Sequence, residues 1–316
     1  MLDPSVYVVA MLGLALVVVP LVTVAVAVAL LRHRTADATP DVERARRHGL
    51  MVNTTAWLVV AFGGPILIGA GGMLALRATT GAGSYAGLLA GLWPTGHALL
   101  FLGVHALGEK AWPRPAGSVR RAALAPRSPF EPRWVLGVTL GWAALLVAAL
   151  VVGGATADDG RRLTRSAGGM VTSGSPYPGW TYGIPVLTGL VLVAVATWGV
   201  LMLVARRPAV TSDATDDADL RRLSAHRVLR GVQLVLAATL AAVLGAASQA
   251  LLAVGLTGIG VVVAALAALA GLGGITVALV VARAPAPNAT PGAFLVPTTG
   301  APATGPADAL GAPGAG

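Results

Sequence analysis

The sequence predicts an all-α membrane protein: a polytopic bundle of seven transmembrane helices, with the N-terminus outside and the C-terminus inside. Three observations carry this expectation. Hydrophobic residues make up 56% of the 316-residue chain and charged residues only 11%, against about 25% charged in a soluble domain, and mean hydropathy is +0.78. The apolar residues fall in blocks of about 20 or more, the length needed to cross a ~30 Å hydrocarbon core. Basic residues gather in every second loop between those blocks. Lipid leaves only helices or closed barrels able to satisfy the backbone, and the period-two alternation of a barrel strand is absent.

The blocks lie, to within a few residues, at 7–31, 55–76, 85–108, 134–153, 181–205, 230–252 and 258–282. The first is too long for the apolar core of a signal peptide, and MLDPS before it carries no basic residue, so it reads as a span. Pro20, Pro65 and Pro94 interrupt the first three blocks, and an interior proline removes a hydrogen bond and bends a helix. Gly87-Leu-Leu-Ala-Gly91 and Gly137-Val-Thr-Leu-Gly141 are small-xxx-small patterns, and Gly69, Gly71 and Gly72 add another small surface; packing within the bundle is their expected use. Only VGLTG, residues 254–258, separates the last two blocks. A tight helical hairpin is expected there, since one helix over all 53 residues of 230–282 would be ~80 Å long. Beyond Arg283 the chain is rich in Pro, Ala and Gly without helical or strand period. Residues 1–283 are therefore expected to form the membrane domain and 284–316 a disordered cytoplasmic tail.

Charge sets the expected orientation. Loops 32–54, 109–133 and 206–230 hold 5, 6 and 6 basic residues, while the opposing loops hold four in all: Arg77, Arg161, Arg162 and Arg165. The positive-inside rule places the three rich loops in the cytoplasm. A net charge of +9 is thereby explained by membrane topology, and nucleic acid is not an expected partner. The chain has no cysteine, which excludes disulfides, thiolate metal sites and thiol nucleophiles. Abundant Ala, Gly, Pro and Arg with a single Lys reads as the coding bias of a GC-rich bacterium and points to the bacterial plasma membrane.

Residues 154–180 form the one sizeable outer loop of this scheme. It closes on SGSPYPGWTYGIP, residues 173–185. Tyr177, Trp180 and Tyr182 are placed at headgroup depth, where rings with one polar end are favoured. Pro185 is placed in the first turn of the fifth span, where a missing N–H matters least. The alternative is a small cap over an outward cavity.

The third block is the most polar. His97 lies near mid-membrane and His105 near the inner end, eight residues on, a ~12 Å rise and roughly 80° of rotation. One straight helix cannot bring both to one metal ion. Each reads either as a neutral imidazole packed against a neighbouring helix or as a functional group at membrane depth. Glu109 and Lys110 mark the inner edge, and no Asp, Glu, Lys or Arg falls inside the seven cores. Trp112 is expected to anchor at the inner interface, Pro113 and Pro115 to stop the helix, and Arg114 to pair with lipid phosphate or with Glu109. Asp216, Asp217 and Asp219 read as a solvated acidic helix start.

GEKAWPRPAGSVRRAALAPR (108–127) and SPYPGWTYGIP (175–185) together resemble segments of uncharacterised multi-pass membrane proteins of actinobacteria. The GE-x-x-WPRP pattern is matched by Gly108, Glu109, Trp112, Pro113, Arg114 and Pro115. The resemblance implies the fold class and a bacterial plasma membrane, and no activity.

No Walker loop, HExxH, GxSxG or Cys/His metal spacing occurs. The expectation is a non-catalytic membrane component or subunit of a larger assembly, not an enzyme and without a cofactor. Its expected partners are the bilayer and either another membrane protein or a second copy. The alternative is a permease or facilitator for a small or lipophilic solute.

Overall fold

A computed structural model describes residues 39–63, 83–114, 133–211 and 214–279. The first predicted span, most of the second, the segment 115–132 and the tail lie outside the described residues, as do Pro20, Pro65 and Gly69 to Gly72. The described residues fold as helices with one small hairpin of strands. They are α1 (Pro40–Leu58), α2 (Gly83–Lys110), α3 (Arg133–Thr156), β1 (Leu163–Ala167), β2 (Met170–Gly174), α4 (Trp180–Arg206), α5 (Ala214–Ala253) and α6 (Thr257–Leu279).

Four of these, α3 to α6, are long and apolar enough to cross a membrane, so by helix length and composition the chain is a multi-pass membrane protein. Consecutive helices run back and forth, and their ends gather in two groups. The ends of α2 and α4 meet the starts of α3 and α5 at an arginine-rich end, where α1 also packs. The starts of α4 and α6 meet the ends of α3 and α5 at the other end, beside the strands. The core between them is built by Phe101 and Leu102 of α2, Leu146 and Leu150 of α3, and Val228 and Leu229 of α5.

α1 begins well inside what hydropathy marks as a loop. Pro40 occupies its first turn, Asp41 and Glu43 face the positive end of its dipole, and Arg44 and Arg47 pair back to them. Val42, Ala45, Gly49 and Ala56 make its buried stripe. Past Leu58 the helix widens into a π-helical turn, Val59–Gly63.

α5 corrects the sequence expectation more deeply. It is a single helix of 40 residues, ~60 Å long at 1.5 Å per residue, and absorbs most of the predicted loop 206–230. Hydropathy marks where a chain becomes apolar, not where it becomes helical. Asp217, Leu220, Ser224 and Val228 recur at helical spacing and are buried. Asp217 is therefore not solvated as expected; it pairs with Arg221 at 3.0 Å.

The hairpin between α5 and α6 forms where expected. Gly255 has φ +78°, and its N–H bonds to Leu252 O while that of Leu256 bonds to Leu251 O. This pair of bonds is the Schellman ending of a helix, in which a left-handed residue favours glycine. The small-residue contacts differ from expectation. Gly137 and Gly141 have no neighbour within 4 Å where a side chain would start, so they are not packing surfaces among the described residues. Close approaches fall instead at Gly189 against Thr95, Gly231 against Phe101 and Gly274 against Ala237.

The loop after α3 is more ordered than a linker. β1 and β2 pair antiparallel around Gly168 and Gly169, whose φ values of +59° and +78° suit a two-residue hairpin turn. Gly174 sits against Ala250 of α5, and Arg165 donates to Gly255 O at 3.3 Å. Asp158 accepts from the Thr164 hydroxyl and from its amide at 2.7 Å. These bonds hold its carboxyl below the ordinary value of 3.8.

Two predictions follow from this packing. Gly231→Ala should lower the unfolding midpoint in detergent, since its Cβ collides with buried Phe101, a cost of about 1–3 kcal/mol. Gly245→Ala, with open space beside it, should raise the midpoint slightly through helix propensity; equal effects would contradict the packing. Because the Asp158 carboxyl is depressed, its contribution is complete above pH 3.8 and fades as pH falls through the lowered folded value. Amide exchange at Thr164 should therefore speed up in acid relative to helix amides, and Asp158→Asn should flatten that response.

Candidate functional site

The arginine-rich end concentrates the buried charge. α4 stops at Arg206, and Arg207 turns inward. Its Nη1 donates to Glu109 Oε2 at 2.8 Å and to Ser224 Oγ at 3.0 Å. The pair is almost sealed, with side-chain exposures of 2% and 4%. The Arg207 guanidinium lies 3.5 Å over the Trp112 ring, a cation–π contact. Burial lowers the pKa of Arg207, and the adjacent Glu109 opposes that shift.

Arg221 completes the arrangement from α5. Its guanidinium donates to Val204 O at 2.6 Å, Ala205 O at 2.8 Å and Arg207 O at 2.7 Å, and its Nε to Asp217 Oδ2 at 3.0 Å. A helix leaves its last carbonyls without intrahelical partners and its C-terminus partly negative. Arg221 answers both needs for α4. α1 closes the side: His48 Nε2 bonds to Gly108 O at 2.9 Å, its ring stands edge-on to Trp112, and Gly49 admits the Arg227 guanidinium.

The predicted candidates divide sharply. His105 and Glu109 belong to this end, both buried, with the His105 ring against Phe101. Glu109 pairs with Arg207 rather than Arg114, which is exposed at the chain's exit. The helix ends at Lys110, Trp112 lies under Arg207, and Arg114 is exposed. Trp112 is correspondingly a buried platform, 6% exposed, whereas Trp134 at the start of α3 is exposed.

His97 stands apart, more than two turns away. Its Nδ1 bonds to Trp93 O at 2.9 Å within α2, and its ring packs on Trp93. Near it, a cavity of about 20 Å³ lies beside Pro94, lined among others by Thr95, Gly189 and Thr239, enough for about one water.

Tyr177, Trp180 and Tyr182 lie at the opposite end. Tyr177 is buried: its hydroxyl bonds to Thr156 Oγ1 at 2.7 Å and its amide to Arg161 O. Trp180 is 41% exposed and lies over Gly154, and Tyr182 is half-buried. Pro185 sits past the first turn, because α4 starts at Trp180. The SGSPYPGWTYGIP stretch thus packs as a stitched cover on the helix ends.

Arg207, Arg221, Asp217 and Arg227 were not legible as site residues. The helical spacing of Asp217, Arg221 and Ser224 was a usable signal, but nothing local ties Arg207 to a partner 98 positions away. Among the described residues no three His, Asp or Glu side chains come together as a metal site.

Glu109→Gln should destabilise the protein by about 3–5 kcal/mol, because it strands a buried guanidinium. Arg114→Gln should leave stability unchanged. Denaturation in detergent checks both, and a large loss from Arg114→Gln would restore the Arg114–Glu109 pairing.

No family model, no curated protein and no solved structure matches this chain.

Proposed function

We propose that the chain is a non-catalytic component of a larger membrane assembly in the bacterial plasma membrane, crossing it seven times with its N-terminus outside. The observation that supports a structural role is where the polar groups at membrane depth go. Gln233 of α5 donates to Val135 O and to Thr139 Oγ1 of α3, both at 2.8 Å. Ser248 of α5 donates to Gly260 O of α6 at 2.8 Å. Thr197 and Thr239 bond back to carbonyls of their own helices. Gln233 and Ser248 are thus spent on holding helices together, and Thr197 and Thr239 are satisfied within their own helices. The outward faces, including Leu140, Val195 and Leu266, are apolar and exposed, as contact with lipid or a membrane partner requires. The bacterial setting draws on the arginine-rich, lysine-poor composition and the resemblance of the GE-x-x-WPRP segment.

Purification in native lipid, followed by identification of co-purifying proteins, tests the reading. A stoichiometric membrane protein is the expected result; a chain that purifies alone at native expression argues against a subunit. Reporter fusions after Pro40, Arg120, Thr215 and Gly300 should all report cytoplasm, and an outward signal at any one overturns the orientation.

The cavity beside Pro94 favours a second reading, a permease or facilitator for a small or lipophilic solute. His97 lies one turn from Pro94. Under that reading His97→Ala changes solute flux in reconstituted vesicles, and unchanged flux removes His97 from any transport role.

A further inference from the structure

We infer that the arginine-rich end holds a binding site for a phosphate group, built on Arg207, Trp112 and Arg227. Arg207 spends one nitrogen on Glu109 and Ser224. Its Nε and Nη2 are buried and have no acceptor among the described residues. The same holds for Nε1 of Trp112, the ring stacked beneath that guanidinium. Three donor nitrogens on one stacked pair therefore lack a partner, and buried donors are rarely left so.

The charge balance identifies the missing acceptor. Arg207, Arg221 and Arg227 face Glu109 and Asp217, so this cluster carries more guanidinium than carboxylate. Arg221 is committed to Asp217 and the end of α4. Arg227 lies in the field of Glu109 and Arg207, with Nη1 beside Gly49 and the Trp112 ring edge. Glu109 is already taken by Arg207. A water would answer the open donors and leave the excess charge; an oxyanion answers both. Guanidinium forks match the oxygens of phosphate. Arginine-rich ends of membrane helices also lie where the phosphates of the cytoplasmic leaflet are found. The source is a lipid headgroup or free phosphate, and the site does not depend on the assembly reading.

The full chain in neutral detergent provides the test. Thermal unfolding is followed while phosphatidylglycerol, diacylglycerol or inorganic phosphate is added, for wild type, Trp112→Phe and Arg227→Gln. Trp112→Phe keeps a smaller aromatic ring under Arg207 and deletes the N–H; Arg227→Gln leaves the Glu109 pair intact. A ligand that binds the folded state raises the midpoint saturably. Phosphatidylglycerol should do so and diacylglycerol should not. Each variant should need about tenfold more ligand, the loss expected for one charge-assisted hydrogen bond. If inorganic phosphate gives the same rise and displaces the lipid, the ligand is free phosphate; if only the lipid acts, it is the headgroup. Equal responses to phosphatidylglycerol and diacylglycerol, or responses unchanged in both variants, overturn the site. A variant that lowers the midpoint without ligand but keeps the full response also overturns it, because the residue is then structural alone.

Discussion

The Glu109–Arg207 ion pair is the constraint on which the arginine-rich end depends. Two opposite charges are held at 2.8 Å almost out of reach of solvent. A buried pair adds little net stability compared with an apolar packing of the same shape, but it is intolerant of losing either member. Its contribution here is positional. It fixes the end of α2 against the end of α4, and Ser224 draws the start of α5 into the same bond set. With Arg221 capping α4 from α5, three helix ends share one hydrogen-bonded lock.

Beyond the charged lock, the helices meet by different means. The hydrophobic effect cannot drive association between surfaces already in lipid, so close packing and interhelical hydrogen bonds carry it. Gln233 illustrates the arrangement: its amide bridges to α3 at a carbonyl and at a hydroxyl that itself bonds to the same carbonyl. The glycines at close approaches let neighbouring side chains pack directly on backbone. Beside Pro94 that packing leaves room for about one water.

Much of the helical skeleton was legible in the sequence. The blocks 134–153, 181–205 and 258–282 lie within α3, α4 and α6 or overrun them by a few residues, because lipid-facing helices are apolar on nearly every side. The hairpin at Gly255 was legible as well, since VGLTG is the one break in an apolar run too long to cross a bilayer as a single helix. The extension of α5 was hidden because hydropathy falls at its charged turns while helical spacing continues through them. The strands were missed although Gly168-Gly169 is a hairpin signal; their exposed faces lack a clear apolar alternation. The charged lock was the least legible part. Glu109 was visible as a lone carboxylate at a helix edge, but its partner is set by tertiary packing, and the nearer Arg114 competed on sequence distance alone.

One further property follows from the length of α5. Its 40 residues make a continuous rod about twice as long as a ~30 Å hydrocarbon core is thick. One tip is clamped by Arg221 and Ser224 to the ends of α4 and α2, and the other bears Ala250 against Gly174 and leads into the turn that Arg165 grips. Because one helix carries both sets of contacts, α5 is an unbroken covalent tie between the charged turns that cap α4 and the turn that touches the β hairpin.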